Sequence, residues 1–183
     1  MKLRSILLAT VLFSLSSLSN ADQNAPELEL LFDKLNDTSD SHSAQKLTSK
    51  IWQIWTYNDR DDINKLMHAG VTLMNARQYK GALAQFDRII ELEPTFAEGW
   101  NKRATLYFLM DRYDDSINDI RETLTREPRH FGAMSGLGVI LTETGDHTDA
   151  IAAFEYALKV NPHLPGVAEN IEKVKRLLRK NTI

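Results

Sequence analysis

The side chains best suited to chemistry are scattered along this chain. His42, His68, His130, His147 and His163 stand far apart, and no pair falls at metal-ligand spacing such as His-Glu-x-x-His. There is no glycine-rich phosphate loop and no Gly-x-Ser-x-Gly elbow. Cysteine is absent, which excludes disulfides, thiolate metal sites and a cysteine nucleophile. Glu91 with Glu93, and Asp114 with Asp115, are close in sequence but read as exposed helix charge. No catalytic residue, cofactor or metal is therefore expected. One segment does concentrate polar chemistry. Arg129 and His130 precede Phe131, with Gly132 and Gly136 following in what should be the opening of a helix. Each glycine costs a helix interior about 1 kcal/mol against alanine. Either the backbone packs closely on the preceding unit, or Arg129, His130 and bare N–H groups form a site for an anion or carboxylate.

The elements that must position these residues are set by a 34-residue beat of prolines, Pro94, Pro128 and Pro162. The blocks run 63–96, 97–130 and 131–164. A small residue stands eight places into each: Gly70, Ala104, Gly138. Another follows twelve later: Ala82, Ser116, Ala150. A large apolar residue comes four after that: Phe86, Ile120, Phe154. This period marks a helix–turn–helix unit that cannot bury its apolar face alone and must stack on its neighbours. Helices are expected at 63–76 and 79–92, at 97–110 and 113–126, and at 131–144 and 147–160. The small residues should sit where paired helices cross, with Phe86, Phe154, Trp100 and Tyr107 filling the space between units. Helical periodicity also covers 27–35 and 44–55, a hairpin within 22–62 that lacks the 34-residue landmarks and reads as a degenerate repeat or a cap. Residues 165–183 form a last amphipathic helix, a cap with basic residues on its solvated side. The fold class is all-α, a helical-hairpin solenoid.

The landmarks resemble the tetratricopeptide repeat family. Trp100, Ala104, Tyr107 and Pro128 carry the resemblance in the second unit, Leu137, Gly138, Ala150, Phe154, Ala157 and Pro162 in the third, and Gly70, Ala82, Phe86 and Pro94 in the first. The resemblance implies a right-handed superhelix whose concave groove is lined by the first helix of each unit. By that correspondence the groove is mostly uncharged, and the residues expected to hold a protein or peptide partner are Asn64, Met67, Val71, Met74, Asn101, Thr105, Phe108 and Ser135, with Arg129 and His130 at its edge. Some family members clamp the C-terminal carboxylate of chaperones with lysine, asparagine and arginine. Here those places hold Met67, Val71, Lys102, Gly132 and Gly136, so the clamp is missing. Arg103 occupies a place that is normally apolar. It should be paired, with Asp119 on the facing helix as the expected partner, or else snorkel to the edge.

Residues 1–21 read as a secretory leader, with Lys2 and Arg4, an apolar serine-containing run, and Ser19-Asn20-Ala21 before the cut. The run is shorter than the ~20 apolar residues of a bilayer span, so no stable membrane anchor is expected after cleavage. Without Lys2 and Arg4 the chain keeps 20 basic residues against 25 acidic, a net charge of −5 that does not suit a nucleic-acid binder. The expectation is an exported, periplasmic or secreted bacterial adaptor. The alternative is a structural module that self-associates into a homo-oligomer through its terminal helices. Trp52 and Trp55 discriminate: exposed they favour assembly, buried they favour a self-capped monomer that binds through its groove.

Overall fold

A computed structural model describes residues 26–180 as helices and short connections, with no strand among the described residues. The expected leader lies outside them. The elements are α1 (Pro26–Asp37), α2 (Ser41–Thr56), α3 (Asp61–Asn75), α4 (Tyr79–Leu92), α5 (Ala97–Leu109), α6 (Tyr113–Arg126), α7 (Phe131–Thr144), α8 (His147–Val160) and α9 (Val167–Lys180). Helices α3 to α8 pack as three successive pairs, and α9 lies on α8. Their limits agree with the periodicity to within two residues. The largest boundary shift is at the start of α2, where Asp40 accepts from the Ser43 N–H at 2.8 Å and so begins the helix three residues earlier than the apolar pattern alone suggested.

The small landmark residues lie at helix crossings, as their spacing required. A Cβ on Gly70 would stand 2.5 Å from the Phe86 ring, and one on Gly138 would stand 2.7 Å from the Phe154 ring. Phe86 and Phe154 thus fill the crossing within their own pair. Phe86 is also continuous with Phe96 and Leu106 of the next pair, so it joins repeats as well. The middle pair solves the same crossing with a hydrogen bond: the buried Ser116 hydroxyl donates to the Ala104 carbonyl at 2.7 Å.

Trp100 is half-buried at the joint between the first and second pairs, rather than filling it. Its indole N–H donates to the Pro94 carbonyl at 3.0 Å, and the guanidinium carbons of Arg126 and Arg103 lie 4.6 and 5.1 Å from its ring centre. Arg103 does pair with Asp119. The fork is bidentate, with Nε to Oδ2 at 2.7 Å and Nη2 to Oδ1 at 2.8 Å, and Nη1 reaches Asp87 at 2.7 Å. Burial opposes charge on Arg103, yet the two carboxylates outweigh it and move its pKa upward. This charge at an apolar place is an inter-helix and inter-repeat tie.

The fifteenth residue of each repeat turns the chain through the left-handed region: Arg77 at φ 58°, Asp111 at φ 57° and Gly145 at φ 90°. A side chain is tolerated there twice at some cost, and glycine removes the cost once. Nothing lies within 4 Å of a Cβ built on Gly145, so backbone strain alone decides a substitution there. Gly145→Ala should lower stability by about 1 kcal/mol, read from the midpoint of urea unfolding. An unchanged midpoint would show that the turn carries no conformational demand.

Candidate functional site

The α1–α2 hairpin decides which part of the groove is open. Its apolar residues Leu28, Leu31, Phe32, Leu35, Ala44, Ile51 and Trp55 must be buried, and they form one core with Phe131 at the start of α7, flanked by Val160 and Leu164. The hairpin therefore uses its apolar face on the third repeat's entry and on α5, rather than laying it on α3 as another repeat would. At the far side, Asn161 Nδ2 donates to Thr48 Oγ1 at 3.2 Å. The connector into α3 is fastened separately, because Asn64 accepts from the Asn58 N–H and donates to the Asn58 carbonyl, while Arg60 donates to the Leu92 carbonyl at 2.9 Å.

His130 is the hub of this docking. It is fully buried, and its ring stacks on Trp55 with centroids 4.3 Å apart and an angle of 12° between planes. Its Nδ1 accepts from the Ala133 N–H at 3.0 Å and so caps α7. The hydrogen therefore sits on Nε2, which donates to Glu98 Oε2 at 3.0 Å. Glu98 is buried as well. It accepts from Asn101 Nδ2 at 2.9 Å, and Lys102 Nζ lies 2.9 Å from its other oxygen. Burial raises the cost of the Glu98 charge, but Lys102 and His130 outweigh it and hold the carboxyl below the usual glutamate range.

Arg129 is committed to the same joint. It binds the buried Glu127 carboxylate through its own N–H and Nε, reaches Glu29 on α1 at 2.8 Å, and lies 4.6 Å over the Phe32 ring. Trp55 Nε1 completes the set by donating to Glu127 at 3.3 Å. The sequence leaves two readings open for this loop, close packing or an anion site, and in the structure its polar atoms are engaged inside the molecule. Gly132 has a packing reason, though not the expected one: a Cβ there would stand 2.6 Å from Cη2 of Trp52, on the hairpin and not on the preceding repeat. The hub was hidden in sequence because histidine is not a usual helix cap and because Trp55 lies 72 residues before its hydrogen-bond partner Glu127.

The other groove residues divide by repeat. In the first repeat, Met67 is buried in the core, Val71 and Met74 pack half-buried against that core, and Asn64 is tied to the connector. The expected residues of the second repeat stand beside a cavity between α5 and α7. This cavity of about 140 Å³ is lined by the expected Asn101, Thr105 and Phe108, together with Ala133, Gly136 and Val139. Ser135 is half-buried on α7 and does not line it. At the rim Thr105 Oγ1 donates to the Asn101 carbonyl at 2.9 Å, and Asn101 Nδ2 donates to Glu98. The surface left is apolar and uncharged, able to receive a hydrophobic group and lacking any group placed for acid–base or nucleophilic work.

Replacing His130 reaches the fold itself. His130→Ala removes an aromatic stack, a helix cap and the partner of a buried carboxylate, and should cost about 3 kcal/mol of stability. Urea unfolding followed by tryptophan fluorescence reads this, and an alanine variant as stable as the parent would contradict the docking. Glu98 adds a pH signature. Its pKa is depressed on folding, so its contribution is complete above the ordinary glutamate value of 4.5 and drains away as pH falls below it. The melting temperature of the parent should therefore fall more steeply than that of Glu98→Gln between about pH 5 and pH 3. Parallel curves would remove Glu98 from the account.

Comparison with known proteins places this architecture. A family profile for the tetratricopeptide repeat matches residues 101–165. A TPR repeat-containing protein of Rhizobium etli is 36% identical over 135 residues, spanning 74% of this chain and 66% of that protein. Protein bimA of Emericella nidulans is 30% identical over 51% of this chain, which spans only 12% of its length. Among solved structures, the Sgt2 TPR domain from Aspergillus fumigatus superposes with a TM-score of 0.63 at 19% identity, covering 67% of this chain and 83% of that domain. The first TPR of Spaghetti (RPAP3), bound to the HSP90 peptide SRMEEVD, gives 0.63 at 16% identity over 66% of this chain and 96% of its own. MamA protein gives 0.59 at 19% identity over 82% of this chain and 80% of its own. The chain belongs to the tetratricopeptide repeat family, by a direct match over residues 101–165 and by its 36% identity over 135 residues to the Rhizobium etli protein.

Proposed function

We propose that this chain is an exported adaptor that holds a protein partner in the concave face between α5 and α7. The observation that carries the reading is the open, uncharged cleft at Asn101, Thr105, Phe108 and Val139, left uncovered although the hairpin packs beside it. Domains of this fold do hold peptides: the first TPR of Spaghetti (RPAP3) was solved with the HSP90 peptide SRMEEVD, and the second TPR domain of human RPAP3 with the HSP70 peptide SGPTIEEVD. The places that answer an acidic tail in the carboxylate clamp are Met67, Val71, Gly132 and Gly136 here, and the one lysine, Lys102, is paired with Glu98. An acidic chaperone tail is thus a poor match, and an apolar segment a good one. Assembly through the terminal helices is less favoured, because Trp55 is buried and Trp52 half-buried against their own chain. Export rests on the leader-like run before Asp22.

Two experiments test the reading. Thr105→Arg and Val139→Arg, tagged and used as bait against a bacterial envelope extract, should each lose at least one protein that the parent retains, while melting within a few degrees of it. Identical captured sets would place the partner surface elsewhere. Protein recovered from the periplasm of an expressing cell should begin at Asp22, as read by mass spectrometry; an intact Met1 would end the export claim.

A further inference from the structure

Seven of the eight glycines have a visible reason to be glycine. A Cβ on Gly70, Gly99, Gly132 or Gly138 would fall within 2.8 Å of a neighbouring side chain, one on Gly81 would meet Leu73 at 3.3 Å, and Gly145 and Gly166 adopt positive φ. Gly136 has none of these. Its backbone is helical, and a Cβ there would meet only Ile120 Cδ1, at 4.0 Å. A glycine in the middle of α7 weakens the helix with no packing gain in return. What its missing side chain does provide is space, because Gly136 lines the cavity between α5 and α7.

We infer that Gly136 is the specificity-determining residue of this cavity, and that the occupant is one uncharged apolar side chain of a partner protein. The inference rests on the adaptor reading and narrows its ligand. Three features select that occupant. The cavity holds about 140 Å³, close to the ~150 Å³ of an engineered apolar cavity that accepts a single benzene, so it takes one side chain and no more. No charged residue lines it, the Ser116 and Thr105 hydroxyls donate to the Ala104 and Asn101 carbonyls, and the Asn101 amide donates to Glu98. A carboxylate or ammonium placed there would lose its water and meet no opposite charge in the lining. The cavity is also continuous with an existing docking surface: Gly132 belongs to its wall and carries the Trp52 indole on its other side. Trp52 remains half-exposed, which gives a flanking residue of the bound segment an aromatic surface to lie on.

The test uses the full chain after leader removal and blocked pentapeptides Ac-Ser-Ala-X-Ala-Ser-NH2, with X as Leu, Ala, Glu or Lys, followed by amide chemical shifts. The leucine peptide should shift the amides of Thr105, Gly132, Gly136 and Val139 saturably at millimolar concentration, with the alanine, glutamate and lysine peptides at least tenfold weaker. Gly136→Val, whose methyls enter the cavity, should weaken the leucine peptide at least tenfold while melting at or above the parent temperature. Gly136→Ala should melt higher than the parent and bind with intermediate strength. The inference is overturned if the leucine peptide gives no saturable shifts, if the glutamate peptide binds as well, or if Gly136→Val binds like the parent. In each of those cases, loss of a captured partner by Thr105→Arg would keep the adaptor reading and discard only the pocket, whereas no loss would discard both.

Discussion

The inner edge of this molecule depends on one buried stack, His130 between the Trp55 indole and the Glu98 carboxylate. The histidine meets three demands at once. It fills the apolar space that Trp55 leaves, it ends the orphan N–H of Ala133 at the start of α7, and it donates to a carboxylate that would otherwise be buried with fewer partners. Each demand is modest alone. An aromatic pair adds about 1 kcal/mol beyond its burial, and a cap contributes about the same. Their value lies in being joined, because moving the hairpin breaks all three together.

The consequences spread outward from that stack. With Trp55 seated, Trp52 lies on Gly132, Arg129 bridges Glu127 and Glu29, and Phe131 enters the hairpin core. The hairpin is thereby fixed across the start of α7, which leaves the α5–α7 cleft open below it. An array of this kind is stabilised mostly by contacts between sequence neighbours. This joint is different, since it ties residues near the start of the described chain to the entry of the third repeat, beside the groove.

Much of the repeat stack is legible in the sequence because its causes are local and periodic. The proline beat, the paired small residues and the large residue four later set α3 to α8, and Gly70 against Phe86 or Gly138 against Phe154 shows why those types are needed. The Arg103–Asp119 pair is legible for a related reason, as a charge at an apolar place on facing helices demands a partner. The hairpin's destination is not legible. Trp52 and Trp55 announce that a face must be buried, but periodicity carries no information on contacts made across 72 residues of chain. Arg129 and His130 leave two readings open for the same cause: their types suit either an anion or a packed joint, and the arrival of the hairpin engages them inward. The two glycines that look alike in sequence part company in space, with Gly132 carrying an indole and Gly136 facing a cavity.

The most direct measurement of the central claim exploits the absence of cysteine. Glu29→Cys and Arg129→Cys, introduced together, place one thiol on α1 and one on the loop into α7, at two side chains that touch across the joint. Treated in dilute solution with a short thiol-to-thiol cross-linker, the double variant should link within one molecule and run as a compact monomer, while each single variant stays unlinked. Linkage only between molecules, or none, would mean that the hairpin does not dock on its own third repeat.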